Sequence, residues 1–154
     1  MATRKQPIVP LFVLSLSLLF LGINGLIGGY AMLSDPNGAP MGLPVDTLAR
    51  TPFENYTIPG LTLILVWGIG SFITLVGLWA QQQTALFNRL TAWTHEHWAW
   101  DLSILLGIAL VIWLTVQVFT LPAIAPIQFI LYGLAVLLII MPLVPAMRRY
   151  YQLI

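Results

Sequence analysis

The chain has 154 residues, of which 59% are hydrophobic and 7% charged, with a net charge of +1 and no cysteine; its mean hydropathy is +0.92. Soluble domains carry about a quarter charged residues, so this composition all but excludes a water-soluble fold and points to a single polytopic membrane domain. Six Lys and Arg in total leave no basic footprint for nucleic acid, and the lack of cysteine removes disulfides, thiolate metal sites and Cys nucleophiles.

A charged start, Arg4 and Lys5, leads into an apolar run over 8–33. That run exceeds the about 7–15 apolar residues of a signal peptide and can cross a hydrocarbon core of about 30 Å, so it reads as a retained first span. Gly25 and Gly29 stand four apart on one face, where they let another helix approach closely. Asn24 beside them is the one strongly polar side chain deep in this span, and its amide is expected to bond across helices.

Residues 34–57 form the only long polar interval and hold three of the five acidic residues, Asp35, Asp46 and Glu54. Asp35-Pro36-Asn37-Gly38 has the sequence of a type I turn. Thr51-Pro52-Phe53-Glu54 reads as a capping box, which predicts a short helix from Pro52 that carries Phe53 and Tyr56 along the membrane interface. The segment is expected to be an ordered loop folded over the bundle mouth.

The second span is read over 58–80, with Trp67, Ser71 and Thr74 inside it and Gly70 and Thr74 as a small-residue seam. Leu86, Phe87, Leu90 and Trp93 then recur at helical spacing opposite Arg89, the pattern of an amphipathic segment in the headgroup plane. The third span covers 98–121, with Thr94 as expected N-cap, Glu96 in the first turn, and Ser103 and Gly107 four apart. A tight return with two prolines leads to a fourth span over 125–147, which has Gln128 and Tyr132 near its entry and Pro142 and Pro145 loosening its last turns.

The fold class is therefore all-α, an integral membrane four-helix bundle. Arg4, Lys5, Arg89, Arg148 and Arg149 share one side, and Arg50 alone is on the other. This asymmetry places both termini in the cytoplasm (N-in, C-in) and the 34–57 loop outside.

No span carries a charge well inside it, Asp101 being near the start of the third; this counts against proton- or ion-coupled transport. His95 and His97 are weak metal candidates: two apart, they point to different faces of a helix, and no third ligand is placed with them. His97 and Asp101, four apart, are expected to form a surface pair. No span holds a histidine, so no haem ligand is available and no cofactor is expected. Asp35, Asp46 and Glu54 could act as acid/base groups or bind calcium, but turn closure, solvation and helix capping explain them more simply. Asn55-Tyr56-Thr57 matches a glycosylation sequon yet abuts the second span. Asn24, Gln117 and Gln128 can line a polar pocket or act as helix–helix glue. Trp67 and Trp113 can pack against a flat ligand such as a quinone, or against the core.

The pattern Gly28-Gly29-Tyr30, Asp35-Pro36-Asn37-Gly38, Gly42-Leu43-Pro44, Thr51-Pro52-Phe53 and Ile58-Pro59-Gly60, with Ile112 to Gln117 in the third span, resembles small four-span bacterial inner-membrane proteins of uncharacterised function. The layout is also similar to that of the DoxX-like proteins. The resemblance implies a four-helix inner-membrane protein and transfers no activity and no residue role.

Three functional classes follow. The first is a non-enzymatic accessory or scaffold protein that docks lipids, other membrane proteins or a second copy of itself. The second is a binder or carrier of a small neutral or lipidic molecule with the 34–57 loop as lid. The third is an outer-face enzyme using the loop carboxylates Asp35, Asp46 and Glu54, with Arg50 and Phe53 as further candidate site residues of the outer loop. A polar cavity reaching Asn24, Gln117 and Gln128 would favour the second, and an outward glycine face the first.

Overall fold

A computed structural model describes residues 5–90, 94–121 and 124–152; Arg4, Trp93 and Pro122 lie outside them, as does the Leu90 side chain. Six helices are described: α1 (Ile8–Ser34), α2 (Thr57–Ala80), α3 (Ala85–Leu90), α4 (Trp98–Thr120), α5 (Pro126–Leu143) and α6 (Pro145–Tyr151). Of these α1, α2, α4 and α5, with 27, 24, 23 and 18 residues, are long and apolar enough to cross a membrane. The protein is an all-helical, multi-pass membrane protein. α1 packs on α2 and α5, and α4 packs on the same two helices. The spans thus close in a ring in which every neighbour runs antiparallel.

The fourth span stops at Leu143 and does not run to Met147. Pro145 disfavours helical backbone in the residue before it, and Val144 turns out at φ −55°, ψ 131° before α6 begins. α6 carries the chain back across the bundle end, where the His97 N–H donates to the Tyr151 carbonyl at 2.9 Å. Lys5, α6 and the segment before α4 therefore share one end (the termini end), and residues 35–56 cap the other (the loop end).

Glycine sets the closest helix contact. A Cβ at Gly25 would lie 2.6 Å from Gly68 N and 2.8 Å from Leu63 O; one at Gly29 would lie 2.6 Å from Gly60 O. Gly60 and Gly68 return the favour against Met32 and Leu26 at 2.9 and 2.6 Å. The seam of α1 is internal, backbone against backbone. The part of α2 it faces, Leu63–Ile69, is π-helical. The expected Gly70–Thr74 seam is looser: a Cβ at Gly70 meets Leu106 only at 3.6 Å, while Gly77 is the residue that abuts Trp98 and Ala99. Between α4 and α5, Ser103 Oγ donates to Leu138 O at 3.1 Å, and a Cβ at Gly107 would meet Ala135 O at 2.9 Å.

The start of α4 also differs from expectation. His97 is its N-cap, with Nδ1 accepting from the Ala99 N–H at 3.2 Å. Thr94 instead donates to Asp101 Oδ2 at 2.6 Å, and Glu96 precedes the helix.

Candidate functional site

At the loop end the four spans diverge around a cavity of about 410 Å³. Every span contributes to its wall, and Met41, Leu43 and Thr47 of the loop close the top. Asn24, Trp67, Trp113, Gln117 and Gln128, scattered over four helices, all line it. A smaller cavity of about 90 Å³ lies beside it under the loop, with Trp113, Gln117, Met32, Leu43 and Leu121 on both walls. The larger volume falls within the about 300–1,000 Å³ of small-molecule sites.

The cap over this space is built, not slack. Asp35 closes the predicted turn: Gly38 N–H donates to its carbonyl at 2.9 Å, and Asn37 N–H to Oδ1 at 3.0 Å. Gly38 is left-handed at φ 83°, and a Cβ there would run into the Leu43 carbonyl. Two short 3₁₀ turns follow, Ala39–Met41 and Val45–Leu48. Buried Tyr56 fastens the loop, its N–H donating to Pro36 O at 2.9 Å and its hydroxyl to Pro44 O at 3.3 Å. Met32, Leu48 and Tyr56, with Leu43 and Phe53 against them, make a small core of their own.

The capping-box helix from Pro52 is absent. Thr51 Oγ1 accepts weakly from Phe53 N–H at 3.3 Å, Glu54 is exposed, and residues 51–56 form bends. The side chain that starts α2 is Asn55, whose Oδ1 accepts from Thr57 N–H at 3.0 Å. Asp46 sits in the second 3₁₀ turn, where it and exposed Arg50 line a shallow groove. Phe53 is used in the cap core.

Inside the cavity the polar groups are ordered by the chain's own hydrogen bonds. Asn24 turns back on its own helix, Nδ2 donating to Phe20 O at 2.8 Å, and does not bond across helices. Gln128 Oε1 accepts from Ala125 N–H at 3.0 Å, and Gln128 Nε2 donates to Gln117 Oε1 at 3.2 Å. Trp67 packs edge-on to Trp113, with ring centres 6.4 Å apart. It is buried, and its Nε1–H has no acceptor. Beyond the amides, Thr115 Oγ1 meets Tyr132 Oη at 3.1 Å between α4 and α5.

The histidines lie far from this site, at the termini end. His95 is exposed in a left-handed conformation at φ 58°. His97 is buried, not a surface residue, and both its ring nitrogens are engaged: Nδ1 as the cap acceptor, hence Nε2 as donor to Gln82 O at 3.3 Å. Burial holds its pKa below 6.5, against the opposing pull of the Gln82 and Gln81 carbonyls. Asp101 is buried too, and it accepts from Thr94 Oγ1. Glu96, 3% exposed, pairs with Arg148 at 3.2 Å.

No family model, curated protein or solved structure matches this chain, so its site is read from its own residues. Sequence reasoning missed three features of that site. Gly28 borders the cavity, and a Cβ there meets only Leu63 Cδ1 at 3.5 Å. The π-helical turn of α2 carries Trp67, and its only sequence trace is the pair Gly60 and Gly68 that lets α1 press against it. Tyr56, read as an interfacial residue, is the pin of the cap.

Proposed function

We propose that this protein binds a small, neutral, largely apolar molecule between its spans, in the cavity beneath the 34–57 loop. The observation that carries this reading is that one cavity gathers Asn24, Trp67, Trp113, Gln117 and Gln128 from four separate helices. π-helical turns are frequent at functional sites, and one lies in this wall. An accessory or scaffold role comes second, because the glycine face that would have favoured it is buried within the bundle. The loop carboxylates lend the enzymatic reading no support: Asp35 is held in its turn and Glu54 is exposed.

The proposal extends to placement: a bacterial inner membrane, as the sequence resemblance implies, with the loop facing outward. Lys5, Arg89, Arg148 and Arg149 lie away from Arg50, which agrees with the positive-inside rule. Single cysteines at Asn37 and Gln83 should label from opposite sides of a sealed membrane.

The binding reading is tested by Gly28→Phe, a position where the backbone tolerates a side chain and the cavity borders it. Native mass spectrometry from mild detergent should show a retained neutral adduct on the wild type that the variant lacks. A wild type that carries no adduct, or a variant that keeps it, refutes the reading.

A further inference from the structure

We infer that the molecule bound in this cavity presents a hydrogen-bond acceptor, a carbonyl oxygen on a neutral head with a hydrocarbon tail, and that Gln117 Nε2 is the group that receives it. The inference rests on the binding reading above and adds to it the chemistry of the ligand. It follows from the direction of one short relay. A backbone N–H can only donate, so Ala125 N–H fixes Gln128 Oε1 as its acceptor. That leaves Gln128 Nε2 to face Gln117 at 3.2 Å, and the atom meeting it there must be Oε1. The Gln117 amide is thereby oriented, and both hydrogens of its Nε2 are left without a protein acceptor. Gln117 is half-buried and stands on the wall shared by the two cavities under the cap.

A second, independent group has the same polarity. Trp67 is 3% exposed, and its Nε1–H, a donor with no acceptor capacity, is unpartnered in a residue that lines the same cavity. A buried donor without a partner is costly, and in hydrocarbon no water stands by to supply one. The free Gln117 amide donor in an apolar space with no charged side chain lining it, with the buried Trp67 N–H in its wall, selects an uncharged acceptor. A cation would find only neutral acceptors such as Asn24 Oδ1 and no carboxylate to balance it, and a carboxylate would be desolvated without a countercharge.

The way in follows from exposure. Ile27 of α1 and Ile127 of α5 line the cavity and are 65% and 41% exposed on the flank of the bundle. The gap between α1 and α5 therefore opens toward lipid, and a tail can remain there while the head reaches Gln117. A conjugated ring carbonyl and a glycerolipid ester share this chemistry.

The test uses the full chain in dodecyl maltoside, a detergent without carbonyls, and reads the rise in thermal denaturation midpoint with three probes: decyl-benzoquinone, dioctanoylglycerol and decylbenzene. One or both carbonyl probes should raise the midpoint where decylbenzene does not, and the more effective one identifies the source. Gln117→Met, close to isosteric, should need at least tenfold more of that probe for the same rise. Gln128→Met, which frees Gln117 to rotate, should need severalfold more. The probe-free midpoint of each variant shows that it is folded. If decylbenzene acts as well as the carbonyl probes, or if folded Gln117→Met responds like the wild type, the acceptor inference is overturned while the cavity reading stands. If no probe acts on the wild type, both fall.

Discussion

The two ends of this bundle use the same materials to opposite effect. At the termini end three buried aromatics hand their polar atom to a backbone carbonyl: Trp98 Nε1 to Gln82 O at 2.9 Å, Trp100 Nε1 to Pro142 O at 2.8 Å, Tyr151 Oη to Leu78 O at 2.6 Å. Phe87 stacks on Trp98 with ring centres 4.6 Å apart, and Gly77 makes room for that indole. At the loop end Trp67 is buried as deeply, yet its N–H has no acceptor, and the space around it is open. The termini end is not free of such atoms, since Glu96 Oε2 and Asn88 Oδ1 are also buried without partners. The difference is that no described cavity adjoins those two, whereas Trp67 borders one. One end is a plug of hydrogen-bonded aromatics, grooved at its surface by recesses of about 540 and 390 Å³, and the other is a chamber lined by all four spans beneath a cap.

If that division of labour is right, the largest loss should come from the plug. Trp98→Ala removes a buried indole and its stack, and should cost about 3–5 kcal/mol, visible as a large drop in detergent thermostability. A loss no greater than that of a surface substitution would break the comparison. Next is the seam that lines up α1 and α2. Gly25→Leu drives a side chain into the Gly68 and Leu63 backbone and should cost about 1–3 kcal/mol in the isolated protein; a variant as thermostable as the parent would return the glycine face to a partner. A smaller and sharper contrast pairs two indoles. Trp100→Phe leaves the Pro142 carbonyl buried without a donor, a loss of about 1–3 kcal/mol. Trp67→Phe removes an N–H that bonds nothing, and in ligand-free protein its denaturation midpoint should fall less.

The smallest effect is a pH dependence confined to the plug. Burial depresses the His97 pKa below 6.5, so the folded state favours the neutral ring. The unfolded chain binds more protons in that window, and stability therefore rises with pH there. The contribution is present above about 6.5, the unfolded value, and is lost as pH falls toward the folded pKa. His97→Asn keeps a cap acceptor for Ala99 N–H and should flatten the thermostability profile of the wild type across that interval. An unchanged profile would place the acid sensitivity elsewhere.

How far the sequence could be read depended on the range of the forces involved. Hydropathy is local and cumulative, so the spans were legible to within a residue or so at most ends, Leu143 excepted. The cavity wall was legible as a set because Asn24, Gln117 and Gln128 are the polar exceptions in apolar helices, although Asn24 in the event bonds its own turn. Helix starts were not legible where distant residues decide them. Thr51 offered a capping box for a short helix from Pro52, but residues 51–56 bend and bury Tyr56 in the cap core, and α2 begins at Thr57, behind Asn55. Thr94 lost to His97 because the Tyr151 carbonyl, more than fifty residues away in sequence, takes the His97 N–H. The π-helical turn left no signal beyond Gly60 and Gly68, since it belongs to the contact between α1 and α2.

The pinning of the cap by Tyr56 has a mechanical consequence. Tyr56 immediately precedes α2, and through Pro36 and Pro44 it grips both halves of the loop. The loop is thereby tied to the start of that helix, and lifting it as an independent flap would break both bonds and expose Tyr56. Any displacement of the cap acts as torque on the top of α2, whose first irregular segment downstream is Leu63–Ile69, the stretch that carries Trp67. Cap and indole are the two arms of one lever.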